Sequence, residues 1–110
     1  MVDVLTKKKC APCEGGVEPL KGDAVQEYLQ QLNRSWEVVD DYMIRCGFTF
    51  KNFKEAMAFA DRVGEIAESE GHHPDLHVSY GKVTVDLTTH AINGLSENDF
   101  ILAAKVETLL

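Results

Sequence analysis

Apolar and polar residues alternate with two different periods along this chain, and the periods predict which segments are helices and which are strands. The clearest helix begins after Asn52, a favourable N-cap, and Glu55 follows three residues later in the position of a capping box. Its core face is predicted to consist of Phe53, Ala56, Met57, Ala60, Val63, Gly64 and Ala67. Gly71 is suited to end the helix, because glycine adopts left-handed backbone at low cost. Pro74 then pushes His73 out of helical backbone.

Two further helices are predicted, one on each side of this helix. The first begins after Gly22 with Asp23 as its cap. Its apolar stripe consists of Ala24, Tyr28, Leu29 and Leu32. The last begins after Ser96, and Asp99 stands at the N3 position of its capping box. Its apolar side consists of Ile101, Leu102, Val106 and Leu109.

Alternation with a period of two predicts four strands in two pairs. Residues 36–50 contain two strands with a turn near Asp40 and Asp41, and we interpret Trp36 as a core anchor. The second pair is a hairpin whose apolar residues are Leu76, Val78, Tyr80, Val83, Val85 and Leu87. The order α-β-β-α-β-β-α predicts an α+β fold, a four-stranded antiparallel sheet with helices packed on one face.

Length, composition and charge narrow the class of protein. With 110 residues, of which 45% are hydrophobic, the chain is long enough for one buried core. We expect residues 1–19 to form an irregular arm and residues 20–110 to form a single domain. No run approaches the ~20 apolar residues of a membrane helix, and the first residues lack a secretory signal. We therefore expect a cytoplasmic protein that does not bind membranes, although a trimmed organellar precursor would give the same sequence.

The net charge of −7 argues against direct binding of nucleic acid, because phosphate contacts require clustered Lys and Arg. The three cysteines, Cys10, Cys13 and Cys46, cannot all pair with one another. Cys10 and Cys13 have the C-x-x-C spacing of a zinc half-site or a redox pair. A second C-x-x-C is absent from the sequence, so we interpret both as ordinary thiols of the arm.

The candidate chemistry of the chain is concentrated in its histidines. His72 and His73 lie where the central helix ends, and His90 follows the hairpin that should bring it back to them. Glu68 lies one helical turn before His72 and can face the same place. Histidine exchanges protons near neutral pH, and a positioned acid or base accelerates a reaction by about 10²–10⁴-fold. The pattern therefore favours acid–base catalysis.

Metal binding is the main alternative for these residues. A zinc ion could recruit His72, His73 and His90, together with His77 or Glu68. Neighbouring side chains in extended backbone point to opposite faces, however, and a ligand set of the usual spacing is absent from the sequence. A purely structural role, in which the histidines only cap and hydrogen-bond, is a further alternative. We favour a site without metal or cofactor, and we expect His77 to be exposed and uninvolved.

These residues resemble the pterin-4a-carbinolamine dehydratase family over roughly residues 50–105. The matching residues are Glu68, His72, His73, Pro74, Val78, Tyr80, Thr89, His90, Gly94, Leu95, Ser96 and Asp99. The resemblance implies a four-stranded antiparallel sheet with helices on one side, assembled into a homo-oligomer, either a dimer or a tetramer. It also implies dehydration of 4a-hydroxytetrahydropterin to quinonoid dihydropterin without a cofactor. This reaction recycles the tetrahydrobiopterin of aromatic amino acid hydroxylases.

The resemblance also implies roles for individual residues. By similarity, His72 and His90 form the acid–base pair, His73 orients the pterin and Glu68 supports the cluster. Asp75 is a candidate for substrate binding, although we favour a solvent-exposed carboxylate.

Two other matching residues receive structural interpretations. We interpret Asp99 as a helix cap rather than a substrate contact, and Pro74 as a residue that sets the backbone at the site.

Some animal members of the family also stabilise the dimer of a homeodomain transcription factor, which gives a second hypothesis, a protein-interaction module. A pterin-binding or molybdopterin-related protein is the third.

Overall fold

Three helices and four strands follow one another within residues 18–110 of the computed structural model, which describes residues 5–10 and 18–110. The helices are α1 (Asp23–Leu29), α2 (Phe53–Glu70) and α3 (Glu97–Glu107). The strands are β1 (Glu37–Val39), β2 (Met43–Thr49), β3 (Asp75–Ser79) and β4 (Lys82–Leu87). A short 3₁₀ turn, His90–Ile92, connects β4 to α3. The predicted order of elements and the α+β class are confirmed.

The four strands form one antiparallel sheet in the order β1-β2-β4-β3. Val85 of β4 lies opposite Cys46 of β2 on one side and Leu76 of β3 on the other. One face of the two central strands is fully or almost fully buried and consists of Ile44, Cys46, Phe48, Val83, Val85 and Leu87. Helices cover only this face, because it alone offers apolar surface to bury. Within the described residues, none of the helices has the length and apolar character needed to cross a membrane.

Helix α2 begins and ends where the sequence predicts. The side chain of Asn52 accepts a hydrogen bond from the Glu55 amide at 2.9 Å, and Gly71 ends the helix at φ 66°. The predicted core face is wrong at two positions, since Phe53 is 49% exposed and Met57 is 39% exposed. The buried residues are Ala56, Phe59, Ala60, Val63 and Ala67. Each residue turns a helix by about 100°, so the stripe through these five leaves Met57 on its flank.

The other elements also differ from the prediction in detail. The N-cap of α1 is Gly22, and Asp23 is its first helical residue; Val25 is the residue that α1 buries. Tyr80 lies at the tip of the β3–β4 hairpin and is exposed, so its predicted place in the apolar pattern is wrong. Helix α3 begins with the predicted capping box, but it is buried almost all round rather than along one side. Apolar residues occur on every side of α3, so the sequence pattern does not indicate which face of the helix is buried.

The open face of the sheet carries an ionic cluster in place of a helix. Asp86 of β4 accepts hydrogen bonds from Arg45 of β2 at 2.7 and 3.2 Å and lies 3.2 Å from His77 Nε2 of β3. Burial alone would raise the pKa of Asp86, but the bonds from Arg45 and His77 outweigh it and hold the pKa below its ordinary value. His77 itself is exposed, as predicted.

A buried carboxylate near the end of α3 holds the connection between α1 and β1. Glu107 accepts hydrogen bonds from the Asn33 and Arg34 amides at 2.9 and 2.7 Å, and from Trp36 Nε1 at 3.0 Å. The Trp36 ring packs edge-on against Phe48 with 5.9 Å between ring centroids. The interpretation of Trp36 as a core anchor is confirmed, because its side chain is buried.

We expect Glu107→Ala to lower the free energy of unfolding by about 2–3 kcal/mol, because it removes the charged acceptor of the buried Trp36 Nε1 and of two partly buried backbone amides. Urea denaturation measures this change. Glu65→Ala, at an exposed position of α2, is the matched control and should stay within about 0.5 kcal/mol of the wild type. Equal unfolding midpoints for the two variants would contradict this role of Glu107.

Candidate functional site

A cavity of about 400 Å³ lies between the end of α2, the segment after β4 and the start of α3. The side chains of His72, His73 and His90 all line it. The hairpin is responsible for this convergence, because the end of β4 lies beside the start of β3, which follows the end of α2. The structure therefore places the three predicted imidazoles around one space.

The turn at the end of α2 gives His72 and His73 different degrees of exposure. The left-handed Gly71 ends the helix, and the His72 amide still bonds to the Ala67 carbonyl at 3.2 Å. The two histidines then follow in non-helical backbone before β3. The His72 side chain is 11% exposed and that of His73 is 60% exposed. His72 therefore lies at the inner side of the cavity and His73 at its rim.

The ring of His72 is held by Asp99, which is completely buried. Nε2 of His72 lies 2.6 Å from Oδ1 of Asp99. Oδ2 of the same carboxylate accepts hydrogen bonds from the Ser96 amide at 3.0 Å and the Thr89 hydroxyl at 2.8 Å. An ionised carboxylate only accepts, so in such a pair Nε2 of His72 is the donor. Nδ1 is the ring nitrogen that does not face Asp99.

Asp99 therefore has a second contact that the sequence did not reveal. Its carboxylate completes the capping box with Ser96, which confirms the predicted helix cap. The same carboxylate also orients His72 from 27 positions further along the chain. The capping pattern could predict the first contact, whereas no local pattern points to the second.

His73 is paired with Glu68, whose carboxylate contacts Nε2 of the ring. Both side chains are largely exposed, so water screens the pair and its contribution to stability is small. The pair instead fixes the direction of the His73 ring at the rim of the cavity. Glu68 lies near the predicted place, but its partner is His73 rather than His72.

His90 begins the 3₁₀ turn after β4 and is reached by a residue that the sequence analysis did not single out. Its Nδ1 lies 3.4 Å from the Tyr42 hydroxyl. The Thr88 hydroxyl donates to the Tyr42 carbonyl and so ties the β1–β2 turn to the end of β4. Nε2 is the nitrogen of this ring that does not face Tyr42. The one sequence signal for Tyr42 is its position just before β2, and this position alone does not predict a contact with His90.

The remaining candidates lie at the edge of the site or outside it. Pro74 is half-buried and leads from His73 into β3. Asp75 begins β3, pairs in register with Asp86 and is exposed, so its carboxylate lies away from the cavity lining that the structure describes. His77 lies on the open face of the sheet, next to Asp86.

The cysteines fall into three different situations. Cys10 lines the cavity, Cys46 is buried in the core, and Cys13 lies outside the described residues. Burial, followed by the nearby charge of Glu70, raises the pKa of Cys10 to about 12. In residues 5–10 and 18–110, no three His, Cys, Asp or Glu side chains converge in a way that could hold a metal ion.

Comparison with known proteins identifies the family. Residues 18–109 match the family model described as pterin 4 alpha carbinolamine dehydratase, and the chain belongs to this family. A relative from Alkaliphilus metalliredigens, named for the same dehydratase, is 50% identical over 103 residues, which is 94% of this chain and 93% of the relative. A second, from Rubrobacter xylanophilus, is 49% identical over 96% of this chain and 97% of its own. The resemblance to this family, which the sequence analysis based on the histidines and the residues around them, is confirmed.

Solved structures show the same fold. A crystal structure from Brucella melitensis, described as a transcriptional coactivator/pterin dehydratase, is 33% identical with a TM-score of 0.77 over 84% of this chain and 98% of that one. A pterin dehydratase-like protein, described as a RuBisCO assembly factor in the alpha-carboxysome, is 25% identical with a TM-score of 0.61. This second match covers 70% of this chain and 90% of that one. Proteins of this fold are therefore described both as dehydratases and as assembly factors.

Proposed function

We propose that this protein dehydrates a 4a-hydroxytetrahydropterin to quinonoid dihydropterin by general acid–base catalysis without a metal, and so recycles tetrahydrobiopterin. The observation that carries the proposal is the convergence of His72, His73 and His90 on one cavity. Each ring has one nitrogen engaged by a neighbouring side chain and a second nitrogen that does not face that side chain. The names of the curated relatives support the class of substrate.

The reaction needs two proton transfers. A general acid protonates the hydroxyl on C4a, which departs as water, and a general base removes the proton from N5. The C4a–N5 bond thereby becomes a double bond, and atoms and charge balance. We assign these transfers to His72 and His90, which lie on opposite chain segments around the cavity. His73, supported by Glu68, then binds and orients the pterin.

The size and polarity of the cavity support a small neutral substrate. Its volume of about 400 Å³ lies within the range of small-molecule sites, roughly 300–1,000 Å³. The polar residues Thr88, Thr89 and Asn98 contribute to its lining beside the three histidines. A bicyclic pterin with several ring nitrogens matches this kind of lining.

We expect His72→Ala and His90→Ala each to lower the turnover of synthetic 4a-carbinolamine at least about tenfold, because each removes a proton-transfer group. His77→Ala, which removes an imidazole from the open face of the sheet, is the matched control and should retain turnover. Circular dichroism checks that all three variants remain folded. Turnover at the wild-type level in both site variants would contradict the acid–base assignment.

The two halves of the α3 capping box separate stability from catalysis. Ser96→Ala and Asp99→Asn should each lower the free energy of unfolding by about 1–2 kcal/mol, because each removes a cap contact. Only Asp99→Asn also removes the carboxylate that orients His72, so only this variant should lose at least about tenfold in kcat. Denaturation and steady-state kinetics measure the two effects. Equal kcat values for the two variants would argue against a role for Asp99 in positioning His72.

A second candidate function is protein interaction, as a dimerisation cofactor of a homeodomain transcription factor. The Brucella relative, described as a transcriptional coactivator as well as a dehydratase, favours this candidate. Strand β3 lies at an edge of the sheet, where an added strand could pair. Retention of a homeodomain factor in a pull-down, with no dehydration of 4a-carbinolamine, would favour this function over catalysis. Assembly into a dimer or tetramer and a cytoplasmic location stay predictions.

A further inference from the structure

Residues 5–10 precede the part of the chain that the family model matches, yet they pack against the same body. Leu5 is 1% exposed and belongs to the hydrophobic core. Lys8 Nζ lies 2.6 Å from Glu97 at the start of α3, and the same Glu97 oxygen accepts a hydrogen bond from Tyr28 of α1 at 3.1 Å. Cys10 lines the cavity. The described part of the arm is therefore fixed at both of its ends.

The last residue of α2 holds Cys10 at the cavity. Oε1 of Glu70 accepts a hydrogen bond from the Cys10 amide at 2.8 Å, and Oε2 lies 2.6 Å from Nζ of Lys105 on α3. Both side chains of the ion pair are largely shielded from water. Burial alone would raise the pKa of Glu70, but the bonds from Lys105 and Cys10 outweigh it and keep the pKa below its ordinary value. Glu70 therefore accepts from Cys10 as a carboxylate.

The side chain of Cys10 presents a neutral thiol at neutral pH. Its Sγ lies 3.6 Å from the carbonyl of Asn98, in the first turn of α3. The raised pKa, about 12, keeps the proton on sulfur. A neutral, polarizable sulfur makes favourable contacts with flat aromatic rings, typically at about 5 Å. The thiol is therefore suited to contact a substrate ring rather than to transfer protons.

We propose that Cys10 forms one wall of the pterin cavity, as a specificity-determining residue that contacts the bicyclic ring, and that Leu5 and Lys8 anchor the segment that carries it. Glu70 is the positioning residue that holds this wall through the Cys10 amide and Lys105. This inference rests on the proposed function, because it takes the ligand of the cavity to be a pterin. The inference adds a role for the N-terminal arm, which lies outside the residues that carry the family resemblance.

Bulk at position 10 tests the wall. Cys10→Leu should raise both the KM for 4a-carbinolamine and the Kd for 7,8-dihydrobiopterin by about tenfold, because the larger side chain overfills the cavity. The kcat at saturation should change by less than about threefold, since the proton-transfer groups are untouched. Lys7→Leu introduces the same side chain at an exposed position of the arm outside the cavity lining; it is the matched control and should bind within about threefold of the wild type. A Kd for Cys10→Leu equal to that of the wild type would overturn the proposal.

Charge at position 70 tests the positioning role. Glu70→Gln should raise KM and Kd by about three- to tenfold at nearly constant kcat, because the wall is held less firmly. Glu65→Gln, the same change at an exposed position of α2, should leave both constants unchanged. If Glu70 served only stability, kcat per mole of protein would fall while Kd for the folded fraction stayed constant, and that result would overturn its positioning role.

Alkylation of Cys10 is an independent readout that requires no turnover. Iodoacetamide should label Cys10 more slowly than an exposed thiol, because burial raises its pKa to about 12 and leaves less thiolate. Saturating 7,8-dihydrobiopterin should slow the labelling further, whereas adenosine should not. Tandem mass spectrometry locates the label and separates Cys10 from Cys13. Equal labelling rates with and without the pterin would overturn the wall.

The outcomes for the wall and for the proposed function are distinguishable. Protection of Cys10 and a raised Kd in Cys10→Leu, together with no turnover by the wild type, would support the wall and contradict the dehydratase proposal alone. Normal turnover with an unchanged Kd in Cys10→Leu would contradict the wall alone. No binding of the pterin to the wild-type protein would overturn both.

Discussion

The hydrogen bond between His72 and Asp99 connects the end of α2 to the start of α3, and the arrangement of the site depends on it. A completely buried carboxylate requires donors, because its desolvation is otherwise costly. Asp99 obtains them from three places, namely His72 after α2, Thr89 after β4 and the Ser96 amide at the cap of α3. Each of these segments borders the cavity. Satisfying one charge therefore fixes the relative positions of the segments that carry the histidines.

The sequence could predict the features of the fold that rest on near neighbours. The N-cap at Asn52, the left-handed Gly71 and the capping box at Ser96 each involve residues within about four positions. The burial of individual side chains could not be predicted as well. Phe53 and Met57 fit the helical period but fall on the flank of the stripe that meets the sheet. Tertiary packing likewise determines that Tyr80 is exposed and that Asp86 and Glu107 are buried.

The site divides in the same way. The convergence of the histidines follows from a helix end and a hairpin, which local patterns can predict. The partners of the rings could be predicted less well, because Asp99 and Tyr42 lie 27 and 48 positions from the histidines that they contact. The contact between Cys10 and Glu70 spans 60 positions, and no period or motif in the sequence connects them. The three histidines in the sequence thus indicate the chemistry. The contacts between distant residues determine how the rings are oriented and what shape the cavity has.

The placement of Leu5 and Cys10 has a consequence for how family membership is translated into substrate range. The match to the family model begins at residue 18, so it includes the three histidines and excludes residues 5–10. A domain excised at that boundary would lose a core residue, Leu5, and one side of its ligand cavity. The proposed contact of Cys10 with the ligand therefore predicts that changes in this part of the chain alter ligand binding. Ligand binding should accordingly be compared over whole chains rather than over the matched region alone.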